Sequence, residues 1–286
     1  MAILPIDTDI LSPTDDHIFK TTVTHPDAKI ALMDIISGAI EKNVVDVIIR
    51  NNELPVLNDN EKNLRMDVNC TIDDGSQINI EMYGSHVSES DNQHTNLINK
   101  TLYYVTSLHS SQKSKGLKYR DLTKTYQIAF CNYTVYPHKD RYITRGSFRE
   151  DDGTQISDQV NIIIVELSKL EKLLNIPVQE LTSLDAWSLF FRYAAEPKHR
   201  KLLNQIISER EAIAVATNVL LDISQDEDQR ASYLTRRKNE TDRVSDLLTA
   251  EHRAMLRAAR SLKSKGVSSE IIADSTGLSM KEIQEL

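Results

Sequence analysis

The chain has 286 residues, 40% of them hydrophobic and 27% charged, with a formal net charge of −8. That balance is ordinary for a globular protein and excludes a strongly basic nucleic-acid binder, so a polyanion would have to meet a local patch or a bound cation. Two cysteines, Cys70 and Cys131, exclude a disulfide scaffold and point to a reducing, cytoplasmic setting. The opening MAILPIDTDI lacks the basic region and apolar stretch of a secretory signal. Apolar runs such as Ile162 to Val165 are far below the ~20 residues of a membrane span.

A helix is expected near residues 14–21, where Thr14, Asp15 and Asp16 offer capping oxygens and Phe19 begins the apolar face. A second is expected from Pro26 to Glu41, with Pro26 in its first turn and Ala31, Leu32, Ile35, Ile36 and Ala39 among its apolar positions. The β-branched run Val44 to Arg50 reads as a strand, and residues 51–63, with Pro55, as a loop.

The next stretch is the most informative. Leu64, Met66, Val68, Cys70 and Ile72 alternate with Arg65, Asp67, Asn69 and Thr71. After Asp73-Asp74-Gly75, Ile78, Ile80 and Met82 alternate with Gln77, Asn79, Glu81 and Tyr83. This is a β-hairpin with one apolar and one polar face. A three-residue loop ending in glycine pairs Ile72 with Ser76. Carried outward, that register sets Asp67 opposite Glu81 and Arg65 opposite Tyr83. Cross-strand partners have Cβ atoms ~4.5–5.5 Å apart, and like charges that close are destabilising unless something positive joins them. Two carboxylates beside a strand carbonyl form a hard oxygen site suited to Mg²⁺ or Mn²⁺. The other reading is a solvated polar face with two unrelated acids.

A long helix is expected from Ser90 to Gln112, with Leu97, Lys100, Thr101, Tyr104 and Leu108 along one face, then strands at 126–133 and 160–166. The chain changes character near residue 176. Before it, short β-type runs alternate with helices, and after it the pattern is helical, with helices expected at 181–194, 198–221 and 226–265. Residues 1–175 thus read as an α/β core. Residues 176–286 read as an all-helical region whose end, with Gly266, Gly277 and the capping pair Ser279 and Glu282, is a short helix-turn-helix-like tail.

Asp67, a hairpin, and Glu81-Met82-Tyr83 resemble the D…(D/E)xK signature of the PD-(D/E)XK nuclease superfamily. Leu11-Ser12-Pro13-Thr14-Asp15-Asp16-His17-Ile18-Phe19-Lys20 is similar to the opening motif of the Rpn-type family of recombination-promoting nucleases and transposases. So are Met66-Asp67-Val68, Gly75 with Asn79-Ile80-Glu81-Met82, Tyr103-Tyr104, the stretch Leu122 to Phe130, and Glu166-Leu167-Ser168-Lys169-Leu170. The likeness spans residues 11–174 and continues weakly in the tail around Thr276-Gly277-Leu278-Ser279. It implies a restriction-endonuclease-like mixed sheet flanked by helices and a metal-dependent DNA endonuclease, linked by family name to recombination or mobile DNA. Asp67, Glu81 and the carbonyl of Met82 would be the metal ligands. Tyr83 stands where the superfamily has Lys and this family usually Gln, and a phenol carries no charge at neutral pH. Two cations could substitute: Arg65 through the hairpin register, and Lys100 at a helix position where the family commonly has a basic residue. The rival reading is a nuclease-derived module that binds DNA or protein without cutting.

Other chemistry is sparse. Asp16 and Lys20 read as a cap and a surface residue. His86 and His94 have no metal-ligand spacing, and Cys70 reads as a buried, inert thiol. There is no phosphate-cradling Gly-Lys-Ser/Thr loop and no GxSxG elbow. Arg236-Arg237-Lys238, Arg243, Arg253, Arg257, Arg260, Lys263 and Lys265 read either as phosphate contacts or as a mixed-charge exposed face. Residues 268–286 carry Glu270, Asp274, Glu282 and Glu285 against Lys281. That balance repels phosphate, so the tail reads as a packing element or a docking site for a second copy or a protein partner.

Overall fold

The computed structural model describes residues 3–53, 65–84, 92–112 and 118–286, with backbone only for 92–94. Two compact units divide the chain, Met1–Arg230 and Ala231–Leu286. No helix among the described residues is long and apolar enough to cross a membrane.

The first unit opens with α1 (Asp16–Val23), whose cap among the three candidate oxygens is Asp15, accepting the Ile18 N–H. A short 3₁₀ turn (Pro26–Ala28) leads into α2 (Lys29–Ile40), which buries Ala31, Leu32, Ile35, Ile36 and Ala39. The sheet begins with β1 (Val47–Ile49), followed by the hairpin β2 (Val68–Ile72) and β3 (Gln77–Tyr83). Helix α3 (Asn92–Ser111) leads to β4 (Thr125–Cys131), and β5 (Ile143–Arg149) to β6 (Gln155–Glu166). The six strands lie in the order β1-β2-β3-β4-β6-β5. β3, β4 and β6 run parallel, while β1–β2, β2–β3 and β5–β6 are antiparallel, which makes the sheet mixed.

The hairpin register is the expected one, with Val68 opposite Ile80, Asn69 opposite Asn79 and Cys70 opposite Ile78. Gly75 takes a positive φ of 84° and closes the turn through Gly75 N–H to the Ile72 carbonyl at 2.9 Å. In register, Ile80, Ile128 and Ile163 share one face of the sheet, as do Met82, Phe130 and Val165. Phe130 meets Phe19 of α1 and Phe191 of α4 (Ser183–Tyr193) on that face, with ring centroids 6.2 and 5.2 Å away. The opposite face carries Asn79, Glu81 and Tyr83 and lies under α3, where Leu97 packs with Ala129, Cys131 and Ile164. The polar face of the hairpin is therefore a covered interior surface and not a solvated one.

Strand β5 was not expected. It is a mostly exposed edge strand with Arg145, Gly146 and Arg149, and its register slips between Ser147 and Arg149, so no clean alternation marks it. The single helix expected at 198–221 is two, α5 (Arg200–Glu209) and α6 (Glu211–Gln225), because Arg210 adopts an extended backbone (φ −130°, ψ 101°). The Arg210 guanidinium donates to the Leu181 carbonyl, while apolar spacing continues through Leu203, Ile206, Ile207 and Ile213 and hides the break. Helices α4 to α6 follow the compositional change at residue 176, yet they lie in the same compact unit as the sheet; α4 and α6 pack on α2, α6 also on α1, and α5 packs on α4 and α6.

The long helix α7 (Glu227–Ser264) carries into the second unit. There Ala259 packs with Ile272 of α8 (Ser269–Thr276), with Leu278, and with Ile283 of α9 (Met280–Gln284). Gly277 has the left-handed conformation that ends α8, and Ser279 with Glu282 forms the capping box of α9.

Candidate active site

The regular ladder between β2 and β3 ends at Val68 and Ile80. One residue further out, side chains take over the backbone bonds. The Asp67 N–H donates to Glu81 Oε1 at 3.1 Å, and the Met82 N–H donates to Asp67 Oδ2 at 3.1 Å. Each carboxylate thus binds the other strand's backbone, and the two acids are held side by side as the register required. Glu81 is 3% exposed. The carbonyl of Tyr83 accepts the Asn132 N–H beyond the end of β4. Backbone groups alternate along a strand, so the N–H and carbonyl of Met82 face the β2 side, towards Asp67.

The electrostatics follow from burial. Glu81 is pushed up to about 7 by desolvation and then by the Asp67 charge, with Lys100 and the Asn79 amide opposing. The Asp67 carboxyl is also raised, chiefly by burial, while the Met82 N–H and Lys100 hold it down. Two ionised carboxylates this close and this dry repel, and a cation between them would relieve the repulsion. Among the described residues no third His, Cys, Asp or Glu joins them in a metal-binding cluster. The donor set is therefore two carboxylates and a strand carbonyl, all hard oxygens, which fits an ion that keeps several waters.

The nearby cation is Lys100, on α3. Its Nζ stands 3.7 Å from Glu81 Oε2 and over two rings, 4.7 Å from the centroid of Tyr83 and 5.1 Å from that of Tyr104. The Tyr83 hydroxyl is buried without a hydrogen-bond partner among the described residues, and its pKa is raised by desolvation and by Glu81. Position 83 therefore supplies a ring face and not a charge. Arg65 is exposed, its backbone pairs with that of Glu53 as an isolated antiparallel β-bridge, and its carbonyl accepts the Tyr104 hydroxyl at 3.4 Å. Of the two cations expected to compensate for Tyr83, it is Lys100 that lies over the ring.

Several groups at the site were not expected. Asn79, two residues before Glu81 on the same face, donates to Glu81 Oε1 at 3.1 Å and to Gln127 Oε1 at 2.8 Å. Helix α1 also acts here: the charge of Asp16 raises Asp67, and that of Lys20 lowers it. Its approach is set at Gly84, where any Cβ would run into the carbonyl of Thr14. Glu166 and Lys169 form a separate buried support. Glu166 Oε1 accepts the Val135 and Tyr136 N–H groups at 2.7 and 3.0 Å and pairs with Lys169 at 2.8 Å, which shapes the loop after β4. Cys70 is fully buried, with its thiol pushed up to about 12 by desolvation. His86 and the side chain of His94 lie outside the described residues.

No curated protein and no solved structure matches the chain. A family model described as "PD-(D/E)XK nuclease family transposase" matches residues 13–250, which takes in the sheet, the carboxylate pair and most of the helices that follow. With the mixed sheet, the paired acids on adjoining strands and this match together, the chain belongs to the PD-(D/E)XK nuclease family transposases.

Proposed function

We propose that the chain is a metal-dependent endonuclease that hydrolyses DNA phosphodiester bonds, with Asp67, Glu81 and the Met82 carbonyl as the protein ligands of Mg²⁺ or Mn²⁺. The observation that carries this reading is the reciprocal bonding of the two acids. Each spends one oxygen on the neighbouring strand and keeps the other, Asp67 Oδ1 and Glu81 Oε2, out of that exchange. A divalent cation held there would polarise the scissile phosphate and lower the pKa of an attacking water. Lys100 supplies a fixed positive charge beside the pair. It is 43% exposed, so it can meet a substrate phosphate while its ammonium lies over the rings of Tyr83 and Tyr104. Membership of a transposase family supports a setting in recombination or mobile DNA. In the second unit, Arg253, Arg257 and Arg260 are exposed at helical spacing on α7 and offer phosphate contacts.

A second reading is a nuclease-derived module that binds DNA without cutting it. It is favoured by the neutral, buried hydroxyl at position 83. Nicking of plasmid DNA by the purified chain, with and without Mg²⁺ or Mn²⁺, separates the two. The expected result is metal-dependent nicking that Asp67→Asn and Glu81→Gln each abolish. DNA binding without cleavage under any metal would establish the second reading.

A further inference from the structure

We infer that Asn79 is a positioning residue for the metal site, holding Glu81 in the orientation that presents Oε2. This rests on the reading of Asp67 and Glu81 as metal ligands. Asn79 is 0% exposed and in register with Gln127 on β4, itself 0% exposed. Its Nδ2 donates to both Gln127 Oε1 and Glu81 Oε1. With the Asp67 N–H, Glu81 Oε1 therefore accepts two fixed donors, and rotation of the carboxylate is blocked. Its second oxygen is left turned towards Lys100. The arrangement is costly, because Asn79 Oδ1 and Gln127 Nε2 are buried without hydrogen-bond partners among the described residues. An aliphatic pair would fill the same row without that cost, as Ile78 and Ile80 do on the other face of β3. Stability is thus not what the two amides contribute. They form a short buried relay, Gln127 to Asn79 to Glu81, and hydrogen bonds to ligating carboxylates fix orientation at metal sites.

The test is a Mn²⁺ titration of the full chain, followed by calorimetry and by melting temperature, for wild type, Asp67→Asn, Asn79→Leu, Gln127→Leu and the double variant. Asn79→Leu keeps the branched outline and the number of heavy atoms but removes the donor. Its Mn²⁺ affinity should fall about tenfold, and its metal-free melting temperature should fall as well, because Gln127 Oε1 loses its donor; the double variant, which removes both amides, should melt above Asn79→Leu. Gln127→Leu leaves Glu81 untouched and should give a smaller loss in the same direction. The double variant should bind no worse than Asn79→Leu alone, since both act through one bond. If Asn79→Leu fails to fold, Gln127→Leu alone decides, and an unchanged affinity there overturns the proposal. If Asn79→Leu folds and binds Mn²⁺ as wild type does while Asp67→Asn does not, Asn79 has only a structural role. If wild type and Asp67→Asn both fail to bind, the metal-site reading falls, and this proposal with it.

Discussion

Lys100 reaches from α3 to lie over the ring of Tyr83, its ammonium 4.7 Å from the ring centroid. The residue at the position where a Lys or Gln was expected thus carries a lysine from another element. Removing Lys100 should cost catalysis heavily, since one well-placed charge on a transferring phosphoryl group is worth ~3 kcal/mol, or about a hundredfold in rate. Lys100→Ala should therefore cut about a hundredfold more slowly in single-turnover assays, and Arg65→Ala should lose less. Tyr83→Lys alone should gain nothing, because it crowds two ammonium groups. Combined with Lys100→Ala it should recover much of the rate, and a double variant no faster than Lys100→Ala would rule out interchange of the two positions.

Metal binding should register as stability. The folded hairpin brings Asp67 and Glu81 together and the unfolded chain does not, so Mg²⁺ or Mn²⁺ should raise the wild-type melting temperature. At a hundred times Kd the gain is ~2.7 kcal/mol. Asp67→Asn should show no shift, and an equal shift in both proteins would place the ion elsewhere.

The buried pair also predicts a pH dependence for the metal-free protein. Glu81 is raised from 4.5 to about 7, mainly by burial and next by Asp67, against Lys100 and Asn79. Between those values the folded chain keeps a proton that the unfolded chain has released. Stability from this group is therefore present below 4.5 and is lost as pH rises towards 7, by an amount on the order of a few kcal/mol. Asp67 is shifted in the same direction. Melting temperatures should fall across that window in wild type and much less in Glu81→Gln. Parallel curves for the two proteins would contradict the assignment.

Gly84 fixes how closely the Ser12-Pro13-Thr14 segment approaches the end of β3, since a Cβ there would meet the Thr14 carbonyl. Gly84→Ala should destabilise the fold by ~1–3 kcal/mol through overpacking. Gly146→Ala, where an added Cβ meets nothing within 4 Å, is the matched control. Thermal melts of both variants check this, and equal melting temperatures would mean that the Thr14 segment yields freely.

The hairpin was legible in the sequence because its information is local. Alternation from Leu64 to Ile72 and from Gln77 to Tyr83, with a glycine at the one turn position that takes a positive φ, leaves a single register, and that register brings Asp67 to Glu81. The caps at Asp15 and Ser279 and the long α7 were legible for the same reason. Strand β5 and the break at Arg210 were not. The first has an irregular edge pattern, and the second is held by a bond to the distant Leu181 carbonyl. Alternation also cannot distinguish a face that meets water from one that meets a helix, so a solvated polar face stayed open as the other reading of the hairpin, and only the structure shows Asn79 and Gln127 buried. The choice of cation was likewise tertiary. Hairpin register alone favoured Arg65 as the partner of Tyr83, but the ladder stops at Val68 and the backbone of residue 65 pairs instead with that of Glu53. Lys100 reaches the site because the parallel crossover from β3 to β4 lays α3 over that face, a placement set by packing between segments far apart in the chain.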